Sequence, residues 1–250
     1  VVGACVAPNA SGKTYSFNWQ VGDPGTSGVS NGGGIIESIH TSYDTVTKHL
    51  TWNATFSHQV TRGYTLAVNK GPNPNGLAGE LALIYFDAES LSNPKLSVYG
   101  YNGKNTQTSW RDGNGSLSGN QTPDLIKGKN DTSYIVNIEA KNVGSKRQFN
   151  LTIDTKDIND HMPMYPAPGV EWTGAQFAEK LGLWFHPVKG LDASYYSNGG
   201  LKKWDITGQG WLDLANCDTD HMEVVPLPTT GAMASGALLC MFGVRRRRGM

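Results

Sequence analysis

The feature that most constrains this chain is a run in which large apolar residues alternate one for one with polar ones. Leu50, Trp52, Ala54 and Phe56 are separated by Thr51, Asn53 and Thr55. A period of two sends the first set to one face of an extended strand and the second set to the other, and a helix cannot sort residues this way. The pattern recurs. Tyr15, Phe17, Trp19 and Val21 share one face of an earlier strand, and residues 35–43 form another after Gly32-Gly33-Gly34. Residues 44–47 between the second and third strands have hairpin-turn composition. Tyr64, Leu66 and Val68 continue the series, and Leu96, Val98 and Tyr101 mark a further strand. Residues 80–86 are nearly all apolar, which predicts a central strand covered on both faces.

Turns punctuate these runs at short intervals. Gly71-Pro72-Asn73-Pro74-Asn75-Gly76 is a loop by composition, and residues 102–131, polar and rich in Gly and Asn, read as one long loop. Residues 134–140 and 148–153 form a hairpin joined through 142–146. Residues 181–188 read as a buried strand that ends near His186-Pro187, and 201–206 close a last hairpin around Ser197-Asn198-Gly199-Gly200. Residues 154–161 and 173–179 are the two candidate helical turns. Eleven or twelve strands with almost no helix predict an all-β fold. The expected form is a single antiparallel β-sandwich of jelly-roll type with one or two short helices, plus a C-terminal apolar sorting helix. This architecture is similar to the concanavalin-A-like sandwiches, a likeness of fold that carries no activity.

The tail has a different grammar. Val225-Pro226-Leu227-Pro228-Thr229-Thr230 is followed by an uncharged run over 231–244 and then by Arg245-Arg246-Arg247-Arg248. Fourteen residues of helix reach roughly 21 Å, short of a hydrocarbon core of about 30 Å. The arginines would stay on the cytoplasmic side. The segment resembles the PEP-CTERM sorting signals of exosortase systems, with Leu227 where that pattern has Glu. The same residues Leu227-Pro228-Thr229-Thr230-Gly231 also satisfy the Leu-Pro-x-Thr-Gly pattern of sortase substrates. Either resemblance implies export, a membrane-embedded processing enzyme as partner, and only transient membrane contact through the tail. The organisation expected is a signal-peptide remnant over 1–7, a sandwich domain over 8–212, an acidic linker over 213–224 and the sorting signal over 225–250. Val2-Gly3-Ala4-Cys5 also fits a lipoprotein cleavage site.

Charge narrows the partners. The whole chain has 21 basic and 21 acidic residues; the tail holds four of the basic ones, so the body is 17 minus 21, or −4. A mildly acidic body gives no reason to expect nucleic acid. Charged residues make up 17% of the chain, below the usual ~25%, while Gly reaches 31 residues. That composition suits an extracellular β-protein with many turns. Cys5, Cys217 and Cys240 carry no metal-ligand spacing.

Three constellations could carry chemistry. Glu80, Asp87 and Glu89 are the acids nearest to a glycosidase arrangement, in which two carboxylates face each other across a groove. Solvated loop acids are the plainer reading. Asp112 and Asn114, and Asp154 and Asp157, are the oxygen-ligand candidates for calcium, with turn chemistry as the plainer account. No cofactor is expected, and calcium is the one that these residues leave open. Trp110, with Tyr101, Asn105 and Arg111 near it in sequence, is the candidate for stacking a sugar ring, and Tyr195, Tyr196 and Trp204 flank another turn. Trp19, Trp52, Trp172 and Trp184 read as core. The function expected is that of an exported surface or matrix sandwich with a structural or glycan-binding role and polysaccharide as its ligand. A sandwich glycoside hydrolase or polysaccharide lyase is the alternative, and an acid pair facing a groove would decide for it.

Overall fold

The computed structural model describes residues 13–21, 30–69, 81–101, 124–161, 177, 181–213 and 223–226. Among these the chain forms two antiparallel sheets and almost no helix. One sheet contains β1 (Lys13–Gln20), β2 (Ile36–Asp44), β3 (His49–Phe56), β8 (Ile135–Val143), β9 (Lys146–Asp154) and β13 (Glu223–Pro226), in the order β13-β1-β2-β3-β9-β8. The other contains β4 (Gly63–Asn69), β5 (Leu81–Asp87), β6 (Lys95–Tyr101), β7 (Asp124–Lys127), β10 (Gly182–Tyr195) and β11 (Leu201–Gln209), in the order β11-β10-β4-β5-β6-β7, with β12 (Leu212–Asp213) paired to β10. A 3₁₀ turn at Asn31–Gly33 and a single helical turn, α1 (Lys156–Asn159), complete the elements. The second helical turn expected at 173–179 and the sorting helix lie outside the described residues, apart from Phe177, which is buried.

Alternation in sequence becomes rows across strands. In the six-stranded sheet Trp19 stands opposite Ile39, Ile39 opposite Ala54, Ala54 opposite Phe149 and Phe149 opposite Ala140. All five side chains are buried in one core. β4, β5 and β10 of the other sheet meet them there. Trp52 lies 5.0 Å from Phe185 between ring centroids, and Phe149 lies 5.4 Å from Phe86 and 5.7 Å from Tyr64. Offset and edge-on ring pairs of this kind add to simple area burial. A slip of one residue in β3 would turn Trp52 and Phe56 out to water, so burial fixes the register.

Turn chemistry agrees with the pattern. Asp44 Oδ1 accepts the backbone N–H groups of Val46 and Thr47 at 2.8 and 2.9 Å, and Lys48 takes φ 60 to close the β2–β3 hairpin. Between β8 and β9 the turn is two residues long, with Gly144 at φ 59, the conformation that glycine adopts without strain. Arg147, 2% exposed, ties the segment after β3 to β9. It donates to Asn142 Oδ1 at 2.8 Å and to the carbonyls of Thr61 and Gln59 at 2.8 and 2.9 Å.

The central strand β5 is buried from Ala82 to Asp87, as its composition requires. Its inner residues join the shared core. Its outer residues join a second core of Ala67, Leu83, Tyr85, Tyr99, Val188, Leu191, Leu201 and Trp204. That second core exists because the far half of β10 and all of β11 form a hairpin over the outside of the sheet. Four expectations are corrected here. Trp204 does not flank an open turn: it is 1% exposed and packs edge-on against Tyr85 at 5.1 Å. β10 does not end near His186-Pro187 but runs on to Tyr195. Pro187, which has no N–H, falls where β10 changes partner from β12 to β11. The segment read as one long loop over 102–131 contains β7, whose Leu125 pairs with Tyr99. Val21 lies just past the end of β1 and is 64% exposed.

Candidate functional site

Most of the residues nominated by the sequence lie outside the described residues: Asn105, Trp110, Arg111, Asp112, Asn114, Glu80, Leu227 to Thr230 and Arg245 to Arg248. Tyr101 ends β6, in register with Leu81. Val225 and Pro226, the first residues of the tail motif, pair with Thr14 and Lys13 at the end of β13, so the chain enters the motif along the edge of β1.

The acids that are described already have partners. Asp154 Oδ1 accepts the N–H of Lys156 at 2.9 Å and holds the entry to α1. Asp157 Oδ2 pairs with Lys127 Nζ at 2.9 Å, and Asp131 pairs with the same ammonium at 3.2 Å. The Asp157 bond, with a smaller contribution from Asp131, raises the Lys127 pKa against the opposing effect of burial. Asp154 and Asp157 therefore serve different ends of the turn. Among the described residues no cluster of three or more His, Cys, Asp or Glu could hold a metal ion.

Asp87 is 2% exposed. Its Oδ2 accepts from Tyr195 Oη at 2.9 Å and Lys95 Nζ at 3.3 Å, and its Oδ1 accepts from the Glu89 N–H at 3.0 Å. β5 ends at Asp87, so Glu89 is off the strand and exposed. Two ammonium groups lie over the Tyr195 ring, Lys95 at 5.5 Å and Lys129 at 5.2 Å from its centroid. Burial and then the neighbouring Asp87 carboxylate push the Tyr195 phenol far up, so it stays a donor. Tyr99 accepts the Leu201 N–H at 2.5 Å, and burial pushes its pKa to about 12. These contacts clamp the β10–β11 hairpin onto β5 and β6. The outer face of the seven-stranded sheet is filled there by protein.

The outer face of the six-stranded sheet is different. Three adjacent rows cross β1, β2, β3, β9 and β8. The first is Ser16, Ser42, Thr51, Thr152, Asn137; the second is Asn18, His40, Asn53, Asn150, Glu139; the third is Gln20, Ser38, Thr55, Gln148, Lys141. On the first four strands every one of these positions is a hydroxyl, amide or imidazole side chain. The charges in these rows lie on the two edge strands: on β8 Lys141 Nζ pairs with Glu139 Oε2 at 2.8 Å, and on β13 Glu223 stands opposite Ser16. Neighbours in the rows touch: His40 Nδ1 and Asn18 Oδ1 lie 2.6 Å apart, Thr51 and Thr152 hydroxyls 3.1 Å apart, and Asn150 donates to Glu139 at 2.7 Å. With strands about 4.8 Å apart the array is roughly 19 Å wide. A merely solvated sheet face normally carries interspersed Lys, Glu, Arg and Asp, about a quarter to a third of the surface. Thr51, Asn53 and Thr55 were visible in the sequence as one strand's polar side. Their joining to the polar sides of four other strands depends on a register that no local pattern states.

A smaller cluster lies on the opposite side of the molecule. Trp184, read from sequence as core, is half-buried: it packs against the second core and stacks on His186, with centroids 5.3 Å apart and planes at 22°. Trp211, beside β12, is 44% exposed.

Comparison with protein-family models, with curated proteins and with solved structures finds no match to this chain.

Proposed function

We propose that this chain is an exported, non-enzymatic surface or matrix protein, a jelly-roll sandwich that binds neutral polysaccharide across the outer face of its six-stranded sheet. The observation that carries this reading is the patch of hydroxyl, amide and imidazole side chains in three adjacent rows over four strands, with Asp44, Asp154 and Lys146 only at its ends. Hydroxyl and amide groups donate and accept at once, as sugar hydroxyls do. A net hydrogen bond is worth only about 0.5–1.5 kcal/mol, so useful affinity comes from several bonds along an extended chain. A charged face would have to shed tightly held water from each ion on contact with a neutral ligand, and this face avoids that cost.

The tail supports the location. Its resemblance to PEP-CTERM signals carries the proposal that a membrane enzyme of exosortase type, or alternatively a sortase, removes it after export. The hydrolase or lyase reading is the alternative: Asp87 is engaged by Tyr195 and Lys95, Glu89 lies beyond the end of β5, and Glu80 lies outside the described residues. Electrophoresis of the purified protein through gels containing soluble neutral glucans or galactomannans, beside a glycan array, tests the binding claim. Retardation that salt does not abolish is expected. Free migration in every gel with silence across the array would leave a purely structural role.

A further inference from the structure

The small aromatic cluster on the seven-stranded sheet is built by register. Phe185 stands opposite Leu212 and both are buried in the shared core. Trp184 stands opposite Asp213, one step along, and Gly210 N–H donates to the Pro187 carbonyl at 2.9 Å, one step the other way. Trp211 therefore lies beside His186. Because side chains alternate across a strand, Trp184, His186 and Trp211 emerge on the side away from the shared core. Ser30 holds Trp211 by two backbone bonds, its N–H to the Trp211 carbonyl at 2.8 Å and the Trp211 N–H to its own carbonyl at 3.1 Å. The exposed indole is thus carried on a fixed backbone.

We propose that Trp184, His186 and Trp211 form a second saccharide site, one that stacks the apolar face of a pyranose ring on the exposed indole, so that one molecule bridges two polysaccharide chains. The proposal rests on the glycan-binding reading above and adds to it a second site of different chemistry. The hydroxyl and amide face hydrogen-bonds along a chain; the indole platform holds a single ring by dispersion and C–H contacts to its π face. Side chains of the two sheets meet in one core, so their outer faces point apart. A single protein cannot lay one short glycan across both. With a long polysaccharide the two sites act on different chains, and the result is a cross-link whose strength comes from avidity.

The two sites give separable signals. Trp19, Trp52 and Trp204 are buried, so among the described tryptophans Trp184 and Trp211 are the ones whose emission a ligand on the platform moves, and the difference between wild type and Trp211→Ala isolates that signal. The test takes the full chain and its Trp211→Ala and Trp211→Phe variants. It measures retardation in gels of soluble galactomannan, tryptophan emission, and light scattering of the mixed solution. Trp211 is 44% exposed, so the variants should fold, which circular dichroism checks. The wild type should be retarded, shift its emission and raise the scattering. Trp211→Ala should stay retarded, lose the emission shift and need about tenfold more protein to reach the same scattering, with Trp211→Phe between the two. Wild-type scattering from Trp211→Ala, or retardation without any emission change, overturns the second site and leaves the first standing. Loss of all retardation in Trp211→Ala refutes the bridging model by putting all binding on one face. A wild type that is not retarded at all removes the glycan reading and this inference with it.

Discussion

Replacing Trp204 with alanine separates two roles that the sequence leaves open. Near a turn and beside Tyr195 and Tyr196, Trp204 reads as a ligand-stacking residue; in the structure it anchors the β10–β11 hairpin. It is 1% exposed, and its ring lies 5.1 Å from Tyr85 at 80°. An aromatic side chain buries about 150–250 Å², and at about 25 cal/mol per Å² that is roughly 4–6 kcal/mol as an upper bound. Aromatic-to-alanine changes in cores cost about 3–5 kcal/mol. For a domain of this size each kcal/mol moves Tm by about 2–4 °C, so a fall of roughly 6–20 °C is expected in a calorimetric or circular-dichroism melt. Galactomannan retardation measured well below that melt should match the wild type. An unchanged Tm with lost retardation would refute the reasoning: Trp204 would be a binding residue, and the hairpin would not be the cover of a second core.

Other perturbations test the supports. Tyr195→Phe removes the hydroxyl that Asp87 accepts at 2.9 Å, and should cost about 1.5–3 kcal/mol in urea unfolding, the range for a bond to a charged group. Arg147→Ala leaves the carbonyls of Thr61 and Gln59 without their donor and should cost about 3 kcal/mol or more, while Arg147→Lys recovers part of this, since one ammonium cannot reproduce the fork. The Asp44 pKa is lowered, first by the Thr47 N–H and then by those of Val46 and the Thr14 hydroxyl, against burial. Its folded-state value lies below its unfolded one, so it stabilises the fold above about pH 4, and that contribution is lost as pH falls through the folded value. A pH series of melts should show a shallower acid limb in Asp44→Asn than in the wild type.

Strands of period two were legible because one face of each is buried. β3 shows this best: its four apolar residues are each no more than 2% exposed. β5 was legible for the opposite reason, since an all-apolar strand needs cover on both sides. Non-local pairing was hidden. Nothing near Trp204 in sequence names Tyr85 as its partner, and nothing near Asp87 names Tyr195, 108 residues away. β7 was lost in a polar segment because four residues are too few to show a period. The polar face suffered most from this limit, since five strands had each to be placed in register before their outward residues could be seen as one surface. The Trp184–His186–Trp211 cluster failed for a similar reason: the pattern gave Trp184 an apolar neighbourhood without saying which side of the sheet it faced.

The account stands or falls on whether the lack of charge at the centre of the six-stranded face matters. Asn53 is the centre of the middle row, opposite His40 and Asn150. Asn53→Lys places one ammonium in the array, and Val46→Lys places one on a turn that is 62% exposed, outside it. With both variants folded, Asn53→Lys should weaken galactomannan retardation by about tenfold, the equivalent of losing one or two net hydrogen bonds, while Val46→Lys migrates as the wild type does. Equal retardation of Asn53→Lys and wild type would contradict the claim that this face binds polysaccharide.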